Sequence, residues 1–236
     1  SEGVASLLLK PLSQAEADND SIYAVLKNTA VNFNGRGGMS IAAPYAPSHA
    51  SLIERCYEAV GVDPRDVGYI ESQGMGNPVA DIAEWDSFNR ALRSLGEAKG
   101  IELNPGSCQV GTLKPMTGHM EAASGLAALF KVIRCLQANR INRILNFVDA
   151  HPELATEDQP CELATKTQEW PRTRRPRLAG IHSYGIGGNN AHMLVEEYVN
   201  ANDVVAKPTS LAGLQPLLIV LSARSSERLR VCLLYT

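Results

Sequence analysis

Apolar and polar residues follow two periods along this chain, which predict short strands and amphipathic helices. Apolar runs rich in β-branched residues indicate strands, and apolar residues spaced three or four apart indicate helices. The predicted strands cover residues 4–10, 23–32, 67–71, 108–111, 178–184, 191–197 and 217–221. The predicted helices cover residues 13–18, 81–95, 121–139 and 225–234, with a further helix that Ser48 or Ser51 caps and that ends near Val60.

Two strand–loop–helix units follow one another in the middle of the chain. The strand over residues 67–71 runs into a turn at Gly74 and Gly76, after which a helix begins, and a second strand at residues 108–111 repeats the arrangement. Such units predict an α/β sheet that is covered by helices. Gln73 then lies at the carboxyl end of a strand, where α/β proteins tend to hold ligands.

Size and charge exclude several classes of protein. At 236 residues and a net charge of -3, the chain can bury a substantial core and has no basic footprint for nucleic acid. The short cluster of Arg172, Arg174, Arg175 and Arg177 is interpreted as a solvated loop, with docking of an acidic carrier protein as the alternative. Neither a membrane-spanning apolar run nor a signal peptide is visible, so we expect a cytoplasmic protein without a membrane partner.

The cysteines indicate neither a disulfide framework nor a zinc site. They are widely scattered, odd in number and without Cys-x-x-Cys spacing, so we expect most of them to be small buried hydrophobic residues. The apolar run over residues 4–10 has nothing before it to form a partner strand, which predicts that the chain is a piece of a larger or split protein. The five cysteines are Cys56, Cys108, Cys135, Cys161 and Cys232.

Three separately spaced motifs resemble those of one enzyme family. Residues 70–77 read Ile-Glu-Ser-Gln-Gly-Met-Gly-Asn, residues 118–125 read Gly-His-Met-Glu-Ala-Ala-Ser-Gly, and residues 183–192 read Ser-Tyr-Gly-Ile-Gly-Gly-Asn-Asn-Ala-His. They resemble the EAHGTGT, KSNIGHxEAASG and SFGFGGxNAH motifs of β-ketoacyl synthases from modular polyketide synthases. The resemblance implies the C-terminal half of a thiolase-like α/β fold, with a mixed sheet covered by helices, over residues 1–199. It implies a post-ketosynthase linker over residues 200–236.

The resemblance also assigns roles to individual residues. In the family, the histidine at the position of His119 contacts the thioester carbonyl or the enolate formed on decarboxylation. The backbone amide at the position of Ile186 contributes to an oxyanion hole. Lys114 and Glu121 match a lysine and a glutamate of a polar network. His119 lies at the start of the helix over residues 121–139, whose positive end disfavours imidazolium, so we expect a neutral ring.

The family's partners and chemistry follow from the same resemblance. Its members are acyltransferases that act on phosphopantetheine-linked acyl groups through a cysteine thioester, with no tightly bound cofactor and no metal. The implied partners are an acyl carrier protein, the missing N-terminal half of the same domain, and a second copy in a homodimer. No cysteine of this chain has the cysteine-serine-rich context of the family's nucleophile. We therefore expect the isolated chain to be inactive.

Gln73 stands where the family keeps a catalytic histidine. A glutamine amide can donate a hydrogen bond but cannot cycle a proton, and losing one preorganised donor costs about 100- to 1000-fold in rate. Met75 and Asn77 also replace the threonines of this motif, and residues 115–117 read Pro-Met-Thr in place of Ser-Asn-Ile. The pattern resembles the non-elongating ketosynthases of trans-acyltransferase assembly lines, which move an acyl chain between carriers without extending it.

Two other functions stay open. One is an elongating β-ketoacyl synthase, which performs a Claisen condensation with malonyl-carrier, where Gln73 or a water substitutes for the histidine. The other is a non-catalytic interaction subunit. A thiolase proper is disfavoured because its C-terminal cysteine-glycine signature has no counterpart here. A dinucleotide site at residues 185–188 is disfavoured because no helix follows that turn, and His192 is interpreted as structural.

Overall fold

The computed structural model of the chain describes residues 1–37, 44–154, 158–172, 175–199 and 225–235. The chain divides into two units, Ser1–Val199 and Asn200–Thr236. The described residues of the second unit form a helix near its end. The strand predicted over residues 217–221 lies outside the described residues. No helix within the described ranges is long and apolar enough to cross a membrane.

Among the described residues, helices and strands alternate from Leu12 to Thr117, and five strands follow one another between Arg140 and Glu196. The helices are α1 (Leu12–Ala17), α2 (Ala46–Glu58), α3 (Pro78–Lys99), α4 (Lys114–Thr117), α5 (Ser124–Ala138) and α6 (Ser226–Tyr235). The strands are β1 (Val25–Phe33), β2 (Val67–Glu71), β3 (Cys108–Gly111), β4 (Arg140–Ile141), β5 (Cys161–Leu163), β6 (Gln168–Glu169), β7 (Leu178–Tyr184) and β8 (Asn189–Glu196).

The main sheet has six strands in the order β1-β8-β7-β2-β3-β5. β8 is antiparallel to both β1 and β7, whereas β7, β2, β3 and β5 run parallel to one another. Glu71 at the end of β2 lies beside Ile181 of β7 on one side and Gly111 of β3 on the other. The three sequence motifs therefore begin near the same edge of one sheet.

Helices cover both faces of this sheet. Neighbouring residues of a strand point to opposite faces. In β2, Ile70 packs with residues of α2 and α3, whereas Tyr69 packs with residues of α5. In β8, Leu194 likewise packs on the side of α2 and α3, and Val195 packs on the side of α5. The predicted α/β class, with a mixed sheet between helices, is confirmed.

Most predicted elements are present, and three strands have the predicted bounds. The strands over residues 67–71, 108–111 and 178–184 coincide with β2, β3 and β7. α3 is longer than predicted because both of its ends are well capped. Asn77 Oδ1 accepts hydrogen bonds from the first-turn amides, and Gly100 ends the helix with a φ of 63°.

Three local predictions are wrong. Residues 4–10 form no strand, since an apolar run becomes a strand only where a neighbour supplies hydrogen bonds, and Leu8 is 96% exposed. Neither Ser48 nor Ser51 caps α2, which begins at Ala46 and has a proline in its first turn. The helix predicted over residues 121–139 begins with a short 3₁₀ turn, so α5 itself starts at Ser124.

The sequence suggested that the arginine cluster is a solvated loop, but two of its arginines bind a carboxylate of the same chain. Arg177 is buried, and its guanidinium donates to Glu197 Oε1 at 2.7 Å. Arg172 donates to the same carboxylate. Arg174 lies outside the described residues. At least these two arginines are therefore committed to a carboxylate of the same chain, which argues against a purely surface role.

A buried charged network joins β2 to α5. Lys131 Nζ lies 2.7 Å from Glu71 Oε2 and 2.8 Å from the Tyr69 hydroxyl. The same hydroxyl donates to Glu71 Oε2 at 2.5 Å. The Lys131 and Glu71 side chains are only 5% and 1% exposed. Each charge therefore depends on the other, because a buried ion without its partner is strongly unfavourable.

We expect Lys131→Met to lower the free energy of unfolding by about 3–5 kcal/mol, because the Glu71 carboxylate would stay buried without its partner. Urea unfolding measures the change. Lys27→Met is the matched control, since Lys27 pairs with Glu196 near the surface and should matter by only about 0–1 kcal/mol. Equal effects of the two substitutions would contradict a stabilising role for the buried pair.

Three buried histidines meet on the side of the sheet that α2 covers. His182 Nε2 lies 3.1 Å from His49 Nδ1, and His182 Nδ1 lies 3.3 Å from His192 Nδ1. His192 Nε2 lies 3.1 Å from the Tyr57 hydroxyl. Burial lowers the pKa of His49 to about 4 and that of His192 to about 3. Burial and the neighbouring rings hold the pKa of His182 well below its usual value.

These depressed pKa values predict a loss of stability in acid. Below the ordinary histidine pKa of about 6.5, these histidines become protonated in the unfolded chain but stay neutral in the folded chain. The free energy of unfolding therefore decreases as the pH is lowered. Each histidine contributes a slope of up to about 1.4 kcal/mol per pH unit. Replacing His49 by Gln should remove one such contribution from the slope between about pH 6 and 5.

Urea unfolding at several pH values tests this expectation. The slopes of the parent and the variant are compared, so that Glu84 and other groups that titrate in the same range contribute equally to both. His151→Gln is the control, because His151 is exposed and lies outside this cluster of histidines. A slope that His49→Gln does not alter would show that His49 is already protonated in the folded protein.

Candidate active site

The turn after β2 is held by a buried carboxylate. Glu84 of α3 accepts hydrogen bonds from the backbone amides of Gln73 at 2.6 Å and Gly74 at 3.0 Å. Gly74 adopts a φ of 49°, and a side chain there would overlap Thr112. Burial raises the pKa of Glu84 to about 8, although the two amides favour the charged form. The backbone path through Gln73 thus depends on one carboxyl group.

Both the nitrogen and the oxygen of the Gln73 side-chain amide form hydrogen bonds with other protein atoms. Its Nε2 donates to the backbone carbonyl of Tyr184 at 3.3 Å and faces Met75 Sδ at 3.7 Å. Its Oε1 accepts from Ser183 Oγ at 3.2 Å and from Lys114 Nζ at 3.3 Å. The residue is 6% exposed. Both N–H groups of this amide are therefore directed at protein atoms.

Lys114 pairs with the Gln73 turn and not with Glu121. Its ammonium group donates to the Gln73 backbone carbonyl as well as to the side chain. Burial lowers the pKa of Lys114, while Glu84 and two further carboxylates act against that shift. Glu121 is exposed and has a φ of 49°. The expected Lys114–Glu121 pair is not formed within the described part of the chain.

His119 lies just before the short 3₁₀ turn that leads into α5. Its Nδ1 accepts the backbone N–H of Glu121 at 2.8 Å and lies 3.2 Å from Ser124 Oγ. A nitrogen that accepts an N–H carries no proton, so in the neutral ring the proton is on Nε2. Nε2–H has no acceptor among the described residues and can donate to a ligand.

The glycine turn between β7 and β8 exposes a backbone donor. Ile186 is 85% exposed, and within the described part of the chain its amide N–H has no hydrogen-bond acceptor. Gly187 and Gly188 have φ values of 104° and 87°, which β-branched residues do not adopt. The backbone N–H of Asn34, just after β1, donates to the Gly188 carbonyl at 2.9 Å. This hydrogen bond holds the turn against the end of β1.

The structure brings some of the predicted site residues into direct contact and keeps others apart. Gln73, Lys114, Ser124 and Ser183 line one small cleft at the sheet edge. His119 joins this group through Ser124. Glu121 and Ile186 do not line the cleft. A separate cavity of about 510 Å³ lies on the α3 side of the Gly74–Gly76 turn and is lined partly by residues 144–151.

Sequence reasoning missed Glu84, although a signal was present. Glu84 is four residues after Ala80 and four before Phe88, which places an acidic residue on the apolar face of α3. Such a residue needs buried partners. The buried histidines offered no comparable signal, because they are far apart in the sequence and meet only in the folded chain.

The described cysteines are not suited to act as nucleophiles. Cys56, Cys108, Cys135 and Cys161 are all buried. Burial raises the pKa of Cys56 to about 11, so its thiol stays protonated at neutral pH. Among the described residues, no group of histidine, cysteine and carboxylate side chains could hold a metal ion.

Comparison with known proteins identifies the class. Residues 23–148 match the C-terminal domain of beta-ketoacyl synthases. The chain therefore belongs to the beta-ketoacyl synthase family. It is 34% identical over 237 residues to polyketide synthase PksN of Bacillus subtilis, covering 97% of this chain and 4% of that protein. It is 38% identical over 195 residues to the highly reducing polyketide synthase azaB of Aspergillus niger, covering 83% of this chain and 7% of that protein.

Solved ketosynthases have the same fold. The ketosynthase from module 6 of the Bacillus subtilis bacillaene synthase matches 80% of this chain with a TM-score of 0.75 and 30% identity. Ketosynthase OzmH KS7 of the Streptomyces albus oxazolomycin system matches 94% with a TM-score of 0.72 and 32% identity. The chain spans 33% and 36% of these two proteins. The resemblance to the C-terminal half of polyketide synthase ketosynthases, and to their thiolase-like fold, is confirmed.

We expect Glu84→Gln to lower the free energy of unfolding by about 1–3 kcal/mol, because its amide nitrogen would face one of the two backbone N–H donors. Urea unfolding measures this change. Asp86→Asn, two residues later on the exposed side of α3, breaks only a surface pair with Arg90 and should cost about 0–1 kcal/mol. A Glu84→Gln variant that is as stable as the parent would show that the turn does not depend on this carboxylate.

Proposed function

We propose that this chain forms part of a ketosynthase that transfers acyl chains between the phosphopantetheine arms of carrier proteins without extending them. One observation carries the proposal: both N–H groups of the Gln73 amide point at protein atoms. Residues 1–199 belong to the ketosynthase domain in this proposal, and residues 200–236 form the following linker. The partners are an acyl carrier protein, the N-terminal part of the domain and a second copy of it, and the assembly is cytoplasmic.

Acyl transfer needs a thiolate and an oxyanion donor. A cysteine thiolate attacks the carbonyl of the donor thioester, the tetrahedral intermediate collapses, and the phosphopantetheine thiol leaves. The acceptor thiol reverses the sequence. The exposed N–H of Ile186 is available to stabilise the oxyanion, and His119 Nε2–H can act as a further donor. The nucleophile comes from the rest of the domain, so the isolated chain forms no acyl adduct.

Chain extension makes an additional demand. Decarboxylation of malonyl-carrier develops negative charge on an enolate, which the family stabilises with two histidines. Here the residue at the first of these positions is a buried amide that is held by Tyr184, Ser183 and Lys114. Without the second donor, decarboxylation is expected to slow by about 100- to 1000-fold, whereas thioester exchange keeps its donors.

Two rival functions remain. An elongating ketosynthase is favoured by the retained Lys114 and by the free Nε2–H of His119. A non-catalytic interaction subunit is favoured by the burial of Cys56, Cys108, Cys135 and Cys161, which makes these four thiols poor nucleophiles. The same assay distinguishes all three functions.

The intact domain containing this chain is supplied with an acyl donor and with malonyl-carrier, and intact-mass spectrometry follows acylation and loss of carbon dioxide. We expect acylation of the domain without decarboxylation. Detectable decarboxylation with a lengthened product would establish the elongating function. No acylation at all would establish the interaction subunit.

Gln73→His provides the matched variant for this assay. The imidazole restores the residue type that the family uses, so we expect decarboxylation to rise while acylation changes little. His119→Ala is the comparison, because it removes the remaining donor and should lower any decarboxylation further. A Gln73→His variant that gains no decarboxylation would show that the altered loop, and not Gln73 alone, prevents extension.

A further inference from the structure

The buried histidines lead to one end of the glycine turn. The contacts run from the Tyr57 hydroxyl to His192, then to His182, then to His49. His49 Nε2 and Asn190 Oδ1 are both buried, and neither has a hydrogen-bond partner among the described residues. Burial lowers the pKa of His49, and the Asn190 side chain acts on that pKa in the opposite direction.

We propose that Tyr57, His192, His182 and His49 form an ordered hydrogen-bond chain that positions Asn190 and thereby fixes the Gly185–Gly188 turn. The inference rests on the proposed function, because that turn carries the Ile186 amide. The four residues are positioning residues, and none of them lines the small cleft except His182.

The two ends of this hydrogen-bond chain determine which ring nitrogens carry protons. Asn190 Nδ2 donates to Asn32 Oδ1 at 2.9 Å and to Asn34 Oδ1 at 2.7 Å, so the amide oxygen is the atom left for His49. An acceptor at that end requires a proton on His49 Nε2. His49 Nδ1 must then accept from His182 Nε2–H.

The same rule fixes the other two rings. His182 Nδ1 accepts from His192 Nδ1–H, because a neutral imidazole has one donor and one acceptor. His192 Nε2 in turn accepts from the Tyr57 hydroxyl. In this direction His49 Nε2–H is the donor available to the buried oxygen of Asn190, and neither atom has another hydrogen-bond partner among the described residues. The opposite direction leaves the Asn190 oxygen without a donor.

Asn190 transmits this order to the turn. It lies opposite Asn32 in the β1–β8 pairing, and its two donated bonds hold Asn32 and Asn34. The backbone N–H of Asn34 donates to the Gly188 carbonyl at 2.9 Å, so the position of Asn34 fixes that end of the turn. A side chain at Gly188 would approach Asn34 closely, which shows how tightly the two segments pack.

Other roles for the histidines fit the structure less well. A proton relay needs a reacting group at one end, whereas this chain ends at a buried tyrosine and a buried amide. A metal centre is not supported, because no suitable group of ligands occurs among the described residues. A packing role alone would not require the nitrogen atoms to face one another at 3.1–3.3 Å.

The first test is the position of the protons in the intact domain. Long-range ¹H–¹⁵N spectra of histidine-labelled protein identify the protonated nitrogen of each ring. We expect Nδ1–H on His192 and Nε2–H on His182 and His49. A proton on His192 Nε2, or an imidazolium in the chain at neutral pH, would overturn the proposal.

The second test uses a matched pair of tyrosine substitutions in the same domain. Tyr57→Phe removes the terminal O–H, whereas Tyr184→Phe removes a buried hydroxyl that has no hydrogen-bond partner among the described residues. We expect Tyr57→Phe to speed amide exchange in the peptide over residues 185–190 by about fivefold, the size of one lost hydrogen bond. Tyr184→Phe should leave that exchange unchanged. Equal exchange in both variants would contradict the proposal.

Acylation kinetics separate a positioning role from general destabilisation. We expect Tyr57→Phe to lower kcat for acylation by about fivefold at unchanged KM, because only the transition-state donor is displaced. A lower fraction of active protein with normal kcat would indicate a merely structural role and count against the proposal. If the parent domain is not acylated, the proposed function fails, whereas the proton positions and exchange rates still decide whether the chain orders the turn.

Discussion

The geometry of the candidate site depends on one buried carboxyl group. The chain must reverse direction after β2, and the amides of Gln73 and Gly74 lose their strand partners at that point. Glu84 accepts both of them, which keeps the turn satisfied without water. Because α3 carries Glu84 and is capped by Asn77 of the turn, the helix and the turn are fixed relative to each other. The Gln73 side chain then has little choice of direction.

The fixed direction of the Gln73 side chain explains how it contacts segments from the other two motifs. Gln73 contacts the end of β7 through Tyr184 and Ser183, and it contacts the loop after β3 through Lys114. Glu71, two residues earlier, binds Lys131 of α5. The turn after β2 is thus connected to both faces of the sheet. A neutral histidine at position 73 would offer one N–H donor where the amide offers two, so it could not reproduce all of these contacts.

The sequence was sufficient for the architecture and insufficient for the direction of side chains. Apolar patterning predicted β2, β3 and β7 to the residue, because buried strands bounded by glycine have a clear signal. The same reasoning placed a strand at residues 4–10, where patterning cannot reveal the lack of a partner. Motif spacing found Gln73 and Lys114, yet it paired Lys114 with Glu121. Which residue an ammonium group meets depends on loop geometry, and the positive φ of Glu121 turns it away.

The two sides of the sheet order the site by different means. Towards α5, a lysine and a glutamate face each other, and their mutual attraction offsets the cost of burying both charges. Towards α2, three histidines remain neutral, and order comes from the sequence of donors and acceptors. A neutral network suits a position behind the proposed oxyanion donor, because its hydrogen bonds can set the turn without adding a charge that titrates near neutral pH. The hairpin of β7 and β8 lies between the two networks, so both restrain the backbone that carries Ile186.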